Sequence, residues 1–307
     1  MKTYWINWMQ PELSPKNLVL SLGAFDGIHL GHKLLINQLV QMAKQKKAFS
    51  ALCVFDPLPF QVLNHLQPFK RLFTISEMKE ILKEFKLDFL LVLPFNKEIS
   101  LLNPHDFLHS YLITHFQPQG IIVGYDFSFA YQKQGDFSFL KTSGKKHGFF
   151  VKKAPVYLYE KEPVSSSRVR KHLSLGEMEE VKKLLGRPFS IQSKVIEGEK
   201  RGRRLGFQTA NLKLSNKQYP CLGVYAGSVR LDQALYKVLV NIGYRPTFYK
   251  NSDIVVEAHI PKVKKSLYNQ ELKLELEHFI RQEKKFSNAL ELKKQIQKDI
   301  EKLETLR

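Results

Sequence analysis

Two histidines, His29 and His32, stand among glycines near the start of the chain, in the run Gly23-Ala-Phe25-Asp26-Gly27-Ile-His29-Leu-Gly31-His32. Imidazoles three residues apart on a turn or helix can face one side. Such a pair can hydrogen-bond or protonate negative charge developing on phosphate oxygens. Glycines let a phosphate approach the backbone closely, and free amides at a helix start attract it. The elements needed to hold such a site surround it. Leu18, Val19, Leu20 and Leu22 read as a buried strand, and a helical pattern runs from Lys33, with Leu35, Leu39 and Met42 on its apolar stripe. Strand, glycine-rich turn and helix is the arrangement of nucleotide-binding sites in α/β sheets. A lone glycine-rich turn would more often be only a turn.

Two further sets of residues could do chemistry. Ser165-Ser166-Ser167 precedes a helical pattern, and Arg170 lies three residues beyond Ser167. Hydroxyls at a helix start and an arginine on the same side suit a phosphate, although a serine triplet can also be a plain linker. Farther on, Gly198, Gly202 and Gly206 allow a tight loop, and Thr209 and Asn211 offer oxygen ligands suited to Mg²⁺ and phosphate. Glu257 alternates with apolar neighbours on a predicted strand, where it could accept a proton from an alcohol or simply face solvent. No GxxxxGK[ST] pattern occurs, so any kinase here is not a P-loop enzyme.

Length and texture supply the frame. The 307 residues are about two domains' worth. Up to Tyr159, strands (Leu18–Leu22, Phe49–Phe55, Phe89–Leu93, Gly120–Gly124, Phe149–Tyr159) alternate with helices (Leu34–Lys47, Ser76–Phe85, and Pro104–Phe116 capped by Asn103). This predicts an α/β domain with a parallel sheet covered on both faces, its ligands beyond the strands' carboxyl ends. The loops Gly23–His32 and Gly124–Asp136 both lie there. From Phe189 the runs become short and alternating, as in a small antiparallel barrel, and a helix over Asn288–Leu306 closes the chain with a solvated Glu/Lys face. The boundary is placed at Arg187, giving domains 1–186 and 187–307. The net charge of +19 raises nucleic acid as a partner. The basic residues are spread along the chain, however, and the densest cluster, Lys200–Arg204, runs into ordered-looking sequence, which argues against a nucleic-acid tail. No apolar stretch is long enough to span a membrane, and two cysteines with no secretory signal fit a cytoplasmic protein.

The string GAFDGIHLGH resembles the HxGH motif of nucleotidyltransferases. With Phe-Asp-Gly in front, it most resembles the adenylyltransferase half of the prokaryotic bifunctional riboflavin kinase/FMN adenylyltransferase (FAD synthetase) family. VSSSRVRKHL resembles that family's SSTxxR motif at Ser166, Ser167 and Arg170. GEKRGRRLGFQTANL resembles the kinase-domain GxxRGRxLGFPTANL, and PCLGVYAG, NIGYRPTF, VEAHI and IRQEKKF follow in the family's order. The resemblance implies a Rossmann-like transferase domain and a barrel kinase domain. It implies phosphorylation of riboflavin by ATP to FMN, then adenylylation of FMN to FAD and pyrophosphate, with Mg²⁺. His29, His32 and Arg170 would serve the transfer, with Gly23, Phe25, Asp26, Gly31, Ser166 and Ser167 around the nucleotide. Gly202, Arg203, Gly206, Thr209 and Asn211 would hold Mg²⁺-ATP, and Glu257 would be the base for the ribityl hydroxyl. Asp126, Phe127, Arg281 and Phe286 would lie at the flavins. Departures from the family pattern fall at Leu58, Ser128, Ala130, Gln208 and the 261–270 loop, where Ser128 removes an arginine, Ala130 replaces a glycine and the loop loses its acidic residues. Two other readings stand beside this one: a kinase alone, with the transferase impaired, and a basic RNA-binding protein on the same scaffold. The oligomeric state is left open.

Overall fold

The computed structural model describes residues 1–63, 69–197, 207–244, 254–263 and 265–306. By contact the chain divides into two compact units, Met1–Ser166 and Ser167–Arg307.

The first unit is built on six strands: β1 (Lys2–Trp5), β2 (Leu18–Gly23), β3 (Phe49–Asp56), β4 (Phe89–Pro94), β5 (Gly120–Val123) and β6 (Phe150–Lys153). Their spatial order is β1-β4-β3-β2-β5-β6, and every pairing is parallel. The continuous apolar runs are explained by burial on both faces. Along β2, Leu18, Leu20 and Leu22 enter one core, shared with Phe107, Leu112 and Leu140. Val19 enters the other, with Leu35, Ile36, Leu39 and Met78. Helices α1 (Leu30–Gln45) and α2 (Ile75–Leu82) supply the second layer. A helix over 104–116, π-wound at Phe107–Ile113, and α4 (Phe137–His147) supply the first; the former is α3. Asn103 caps α3 as expected, accepting from the Asp106 amide at 2.9 Å. Cys53 is fully buried, and burial pushes its thiol far up, so it behaves as the small hydrophobe the sequence suggested.

Three local expectations need correction. The strand expected over Phe149–Tyr159 stops at Lys153, because Pro155 interrupts the ladder; Leu158–Tyr159 (β7) instead pairs with Glu162–Pro163 (β8) as a small hairpin. Strand β1 had no apolar run to announce it. Helix α4 contains Gly144, Ser and Thr and reads weakly as a helix. Gly144 is there because a Cβ would lie 2.5 Å from the Phe149 carbonyl oxygen, and Asp136 caps the start by accepting from the Phe139 amide at 2.8 Å.

The second unit holds a closed barrel of antiparallel strands in the order β10-β13-β12-β11-β14-β9: β9 (Phe189–Ile196), β10 (Thr209–Leu212), β11 (Gly223–Leu231), β12 (Ala234–Tyr244), β13 (Ile254–His259) and β14 (Glu271–Arg281). The four residues of β10 were not predicted as a strand, because they are too few to show an alternation. Helices α5 (Ser166–Leu175) and α6 (Met178–Leu185) pack on the barrel: the Cys221 amide donates to Leu173 O at 3.1 Å, and His278 of β14 lies 3.6 Å from Glu179. The compact division therefore falls at Ser166/Ser167, ahead of the change in sequence texture at Arg187. The closing helix α7 (Ala289–Thr305) is capped by Asn288, but it is not solvated all round. Leu303, with Ile300 and Leu306, covers Val224, Ala226 and Leu239 on the barrel wall, and Asp299 is buried.

Candidate functional site

Parallel pairing brings the carboxyl ends of β2, β3 and β5 to one edge of the sheet. At the end of β2 the chain makes a turn whose backbone is left-handed at Phe25 (φ 45°), Gly27 (φ 94°) and Ile28 (φ 41°). Glycine tolerates this; a β-branched isoleucine does so only under strain. The strain is held by packing, since Phe25 is 3% and Ile28 0% exposed and both belong to the core under α1. Asp26 is also buried, and its Oδ1 accepts the Leu72 amide at 2.8 Å. Phe25 and Asp26, expected around the nucleotide, are packed into the turn itself.

His29 caps α1. Its Nδ1 accepts the His32 amide at 3.3 Å, which leaves Nε2 as the protonated nitrogen of the neutral ring. The His29 and His32 rings stack at 3.6 Å between centroids, with planes 18° apart. The expectation that both face one side therefore holds geometrically. Gly31 permits it, because a Cβ there would lie 3.2 Å from the His29 ring. Gly23 ends β2 against the Phe25 ring. Within the first unit, the Ser166 hydroxyl donates to Asp26 O at 2.6 Å. Ser167 is exposed, and Arg170, half-buried, is one turn further along α5. In the loop after β5, Asp126 is exposed and Phe127 stacks on Phe129 at 5.6 Å. Ala130 adopts φ 65°, ψ −175°, a region suited to glycine.

On the barrel, Asn211 of β10 pairs with Glu257 of β13, and Glu257 pairs with Asn241 of β12. Directly opposed residues point to the same face, so the three form one row across three strands. Thr209 shares that face two residues before Asn211. The intervening Ala210, Leu212, Val256, Ala258, Val240 and Ile242 are buried inside the barrel, which places the row on its outer wall, half-buried. Gly243 follows Asn241 on the same face. A Cβ there would lie 2.2 Å from Glu283 Oε1, so this carboxylate rests on bare backbone beside the row. Gln208, in place of proline, uses its carbonyl to accept from His259 Nδ1 at 2.8 Å. In the 261–270 loop, Asn269 takes φ 65°, which asparagine tolerates in place of glycine.

Arg281, expected at the flavin, is committed elsewhere. Its Nε and Nη2 donate to buried Asp299 at 2.8–3.1 Å, and Nη1 donates to Gln282 O at 3.0 Å. Its guanidinium lies 5.9 Å from the Phe286 ring. It locks α7 to β14. Gly202, Arg203 and Gly206, with the Lys200–Arg204 cluster, lie outside the described residues. Sequence reasoning gave no role to Asn241, although its motif was noted. It also passed over Arg71, a 4% exposed arginine at the end of β3. The signal was an arginine set directly before two apolar residues and the Thr74/Glu77 capping box. Among the described residues no three His, Cys, Asp or Glu side chains gather as a metal site, and no helix is long and apolar enough to cross a membrane.

A parallel α/β unit with paired histidines in a glycine turn, carried with a barrel bearing an Asn–Glu–Asn row, defines a nucleotidyltransferase-type unit joined to a second, barrel-based transferase unit. Comparisons with known proteins agree. The FAD synthetase family model matches residues 12–168 and the riboflavin kinase model residues 185–306. Bifunctional riboflavin kinase/FMN adenylyltransferases are similar: that of Buchnera aphidicola is 37% identical over 93% of this chain and 92% of its own, that of Bacillus subtilis 34% over 92% and 90%, and that of Listeria monocytogenes 32% over 97% and 96%. A solved structure described as a macrolide-efflux protein from Streptococcus pneumoniae superposes with TM-score 0.88 at 26% identity, covering both chains fully. The chain belongs to the bifunctional riboflavin kinase/FMN adenylyltransferase family. It is an enzyme that phosphorylates riboflavin to FMN and adenylylates FMN to FAD, with ATP as co-substrate of both steps.

Proposed function

We propose that the two reactions are divided between the sheet edge and the barrel wall, each with its own residues, residues 1–186 serving adenylylation and 187–307 phosphorylation. On the barrel, Glu257 accepts the proton of the ribityl hydroxyl as that oxygen attacks the terminal phosphoryl group of ATP. Asn211 and Asn241 flank it and hold the reacting groups in line. Thr209, Asn211 and the Glu257 carboxylate form a hard oxygen set on one face, which fits Mg²⁺. When bound with ATP, the ion would neutralise phosphate charge. The observation that carries this reading is the register that puts Asn211, Glu257 and Asn241 in one row.

At the sheet edge the FMN phosphate is the nucleophile, so little covalent help is needed. His29 and His32 donate to the triphosphate where charge develops, with the amides at the start of α1 beside them. Gly23 and Gly31 keep the approach open. Ser166, Ser167 and Arg170 are assigned to the phosphates through their motif, Asp126 and Phe127 to the flavin of FMN, and Phe286 to riboflavin. Arg281 acts on the flavin site through α7, by its ion pair with Asp299. Gly202, Arg203 and Gly206 are assigned to Mg²⁺-ATP by motif alone. The use of ATP and two unbridged thiols fits a cytoplasmic setting.

The test is a single variant and both half-reactions. Glu257→Gln is expected to lower FMN formation from riboflavin by about 10²–10⁴-fold while FAD formation from supplied FMN is unchanged. Equal loss of both, with the fold intact, would contradict separate sites; no loss of either would remove Glu257 as the base.

A further inference from the structure

Arg71 is buried at the carboxyl edge of the first sheet, 4% exposed, and its side chain is only partly satisfied. Its Nη2 donates to the carbonyl oxygen of Phe55, at the end of β3, and lies 3.3 Å from Asp56 Oδ1. Among the described residues its Nε and Nη1 have no hydrogen-bond partner. The segment carrying it is pinned. Leu72, the next residue, donates its amide to Asp26 of the histidine-bearing turn, and Thr74 and Glu77 form the reciprocal cap of α2. The guanidinium is thus held beside both the end of β3 and the Asp26 turn, with rotation about its stem restricted by Phe55 and Asp56.

A buried arginine that served only the fold would be expected to have its donors filled. Here Nη2, common to both paired edges of the guanidinium, is anchored by protein, while Nε and Nη1 are left for separate acceptors. Guanidinium matches phosphate oxygens in shape and charge. The position is also the edge at which a parallel sheet binds its ligands. We propose that Arg71 is an anion-binding residue of the adenylyltransferase site, its Nε and Nη1 each donating to a separate phosphate oxygen of a substrate. Burial lowers the guanidinium's pKa from its ordinary value, and Asp56 and Asp26 nearby oppose this only in part. They also orient it, so the cation is in place before the substrate arrives. The proposal rests on the transferase reading of the Gly23–His32 turn.

The phosphate could belong to ATP or to FMN, and kinetics on the full chain distinguish them. Arg71→Met and Arg71→Lys are compared with wild type for KM of ATP, KM of FMN and kcat in FAD formation. Riboflavin phosphorylation by the same chain controls for the second unit, and thermal unfolding controls for the folding of the first. Binding of inorganic pyrophosphate is read as a shift in thermal unfolding. Arg71→Met is expected to raise one KM by at least about tenfold with the kinase unchanged. A raised KM for ATP with loss of the pyrophosphate shift assigns the contact to the ATP phosphates. A raised KM for FMN with the shift retained assigns it to the FMN phosphate. Arg71→Lys keeps the charge and can still reach Phe55 O, so it tests the fork should the methionine variant not fold. Its single ammonium is expected to raise the same KM by about fivefold or more. Unchanged KM values in the folded variants, or activity lost only in proportion to unfolded protein, would overturn the proposal. Failure of wild-type protein to form FAD from FMN would instead overturn the transferase reading itself.

Discussion

Ala130 shows how one side chain departs from what its backbone asks for. At φ 65°, ψ −175° the residue sits where glycine is at ease, and a Cβ there costs about 1–3 kcal/mol. Ala130→Gly is therefore expected to raise the stability of the first unit by roughly 1 kcal/mol or more in denaturant titration; unchanged stability would show that the neighbouring packing already pays for the alanine. The family resemblance had marked the position as a departure, and the backbone gives that departure a physical consequence. The same holds at Ile28, where left-handed backbone in a buried β-branched residue identifies the histidine turn as a place where packing enforces an unfavourable conformation. His29 and His32 were legible as a pair because their spacing and the surrounding glycines are local features. Arg71 was not, because its role depends on Phe55, Asp56 and Asp26, all distant in sequence.

Elements position these residues, and two of them carry measurable consequences. Helix α7 is fixed by the buried pair of Arg281 and Asp299, with Gln295 also donating to Asp299 at 2.9 Å. Asp299→Ala would leave a guanidinium buried without its partner and is expected to destabilise the second unit by about 3–5 kcal/mol; thermal unfolding that followed the wild type would contradict this. In the first unit, His115 of α3 bonds Ser14 Oγ at 3.1 Å through Nδ1 and Trp8 O at 3.2 Å through Nε2, tying down the segment after β1. Burial lowers its pKa from 6.5, and nearby Lys16 adds to this, while the Trp8 bond and Glu12 oppose it. The unfolded chain then binds the proton more readily than the folded one. The contribution of His115 is fully present above about pH 6.5 and is lost as the pH falls toward its folded value. The unfolding temperature of wild type should drop between pH 7.5 and 5.5 by more than that of His115→Gln; parallel curves would remove His115 as the cause. Long apolar runs made β2 to β5 readable, since a strand buried on both faces has little freedom in composition. Strands β1 and β10, at four residues each, and helix α4, with glycine at its contact with β6, were not readable. Their formation depends on partners rather than on local pattern.

Across the whole molecule, the order of elements was legible, and the division by contact at Ser166/Ser167 lies ahead of the change in texture at Arg187. The change from alternating helices and strands to short runs near Phe189 marks where the barrel begins. Helices α5 and α6 nevertheless pack on the barrel, and no periodicity in them could say which core they would join. The outer row Asn211–Glu257–Asn241 likewise needs the registers of β10, β12 and β13, three segments separated by turns, and only the family resemblance had brought Glu257 forward. The charge of +19 remains spread over the chain and suits a protein whose substrates are anionic nucleotides. The central claim, two successive reactions on one chain, is tested most directly by incubating the protein with riboflavin, ATP and Mg²⁺ and separating the flavins over time. The account predicts that FMN appears first and then gives way to FAD. FMN that accumulates without FAD, even when FMN is supplied directly, would contradict it at the sheet edge, and riboflavin left unconverted would contradict it at the barrel.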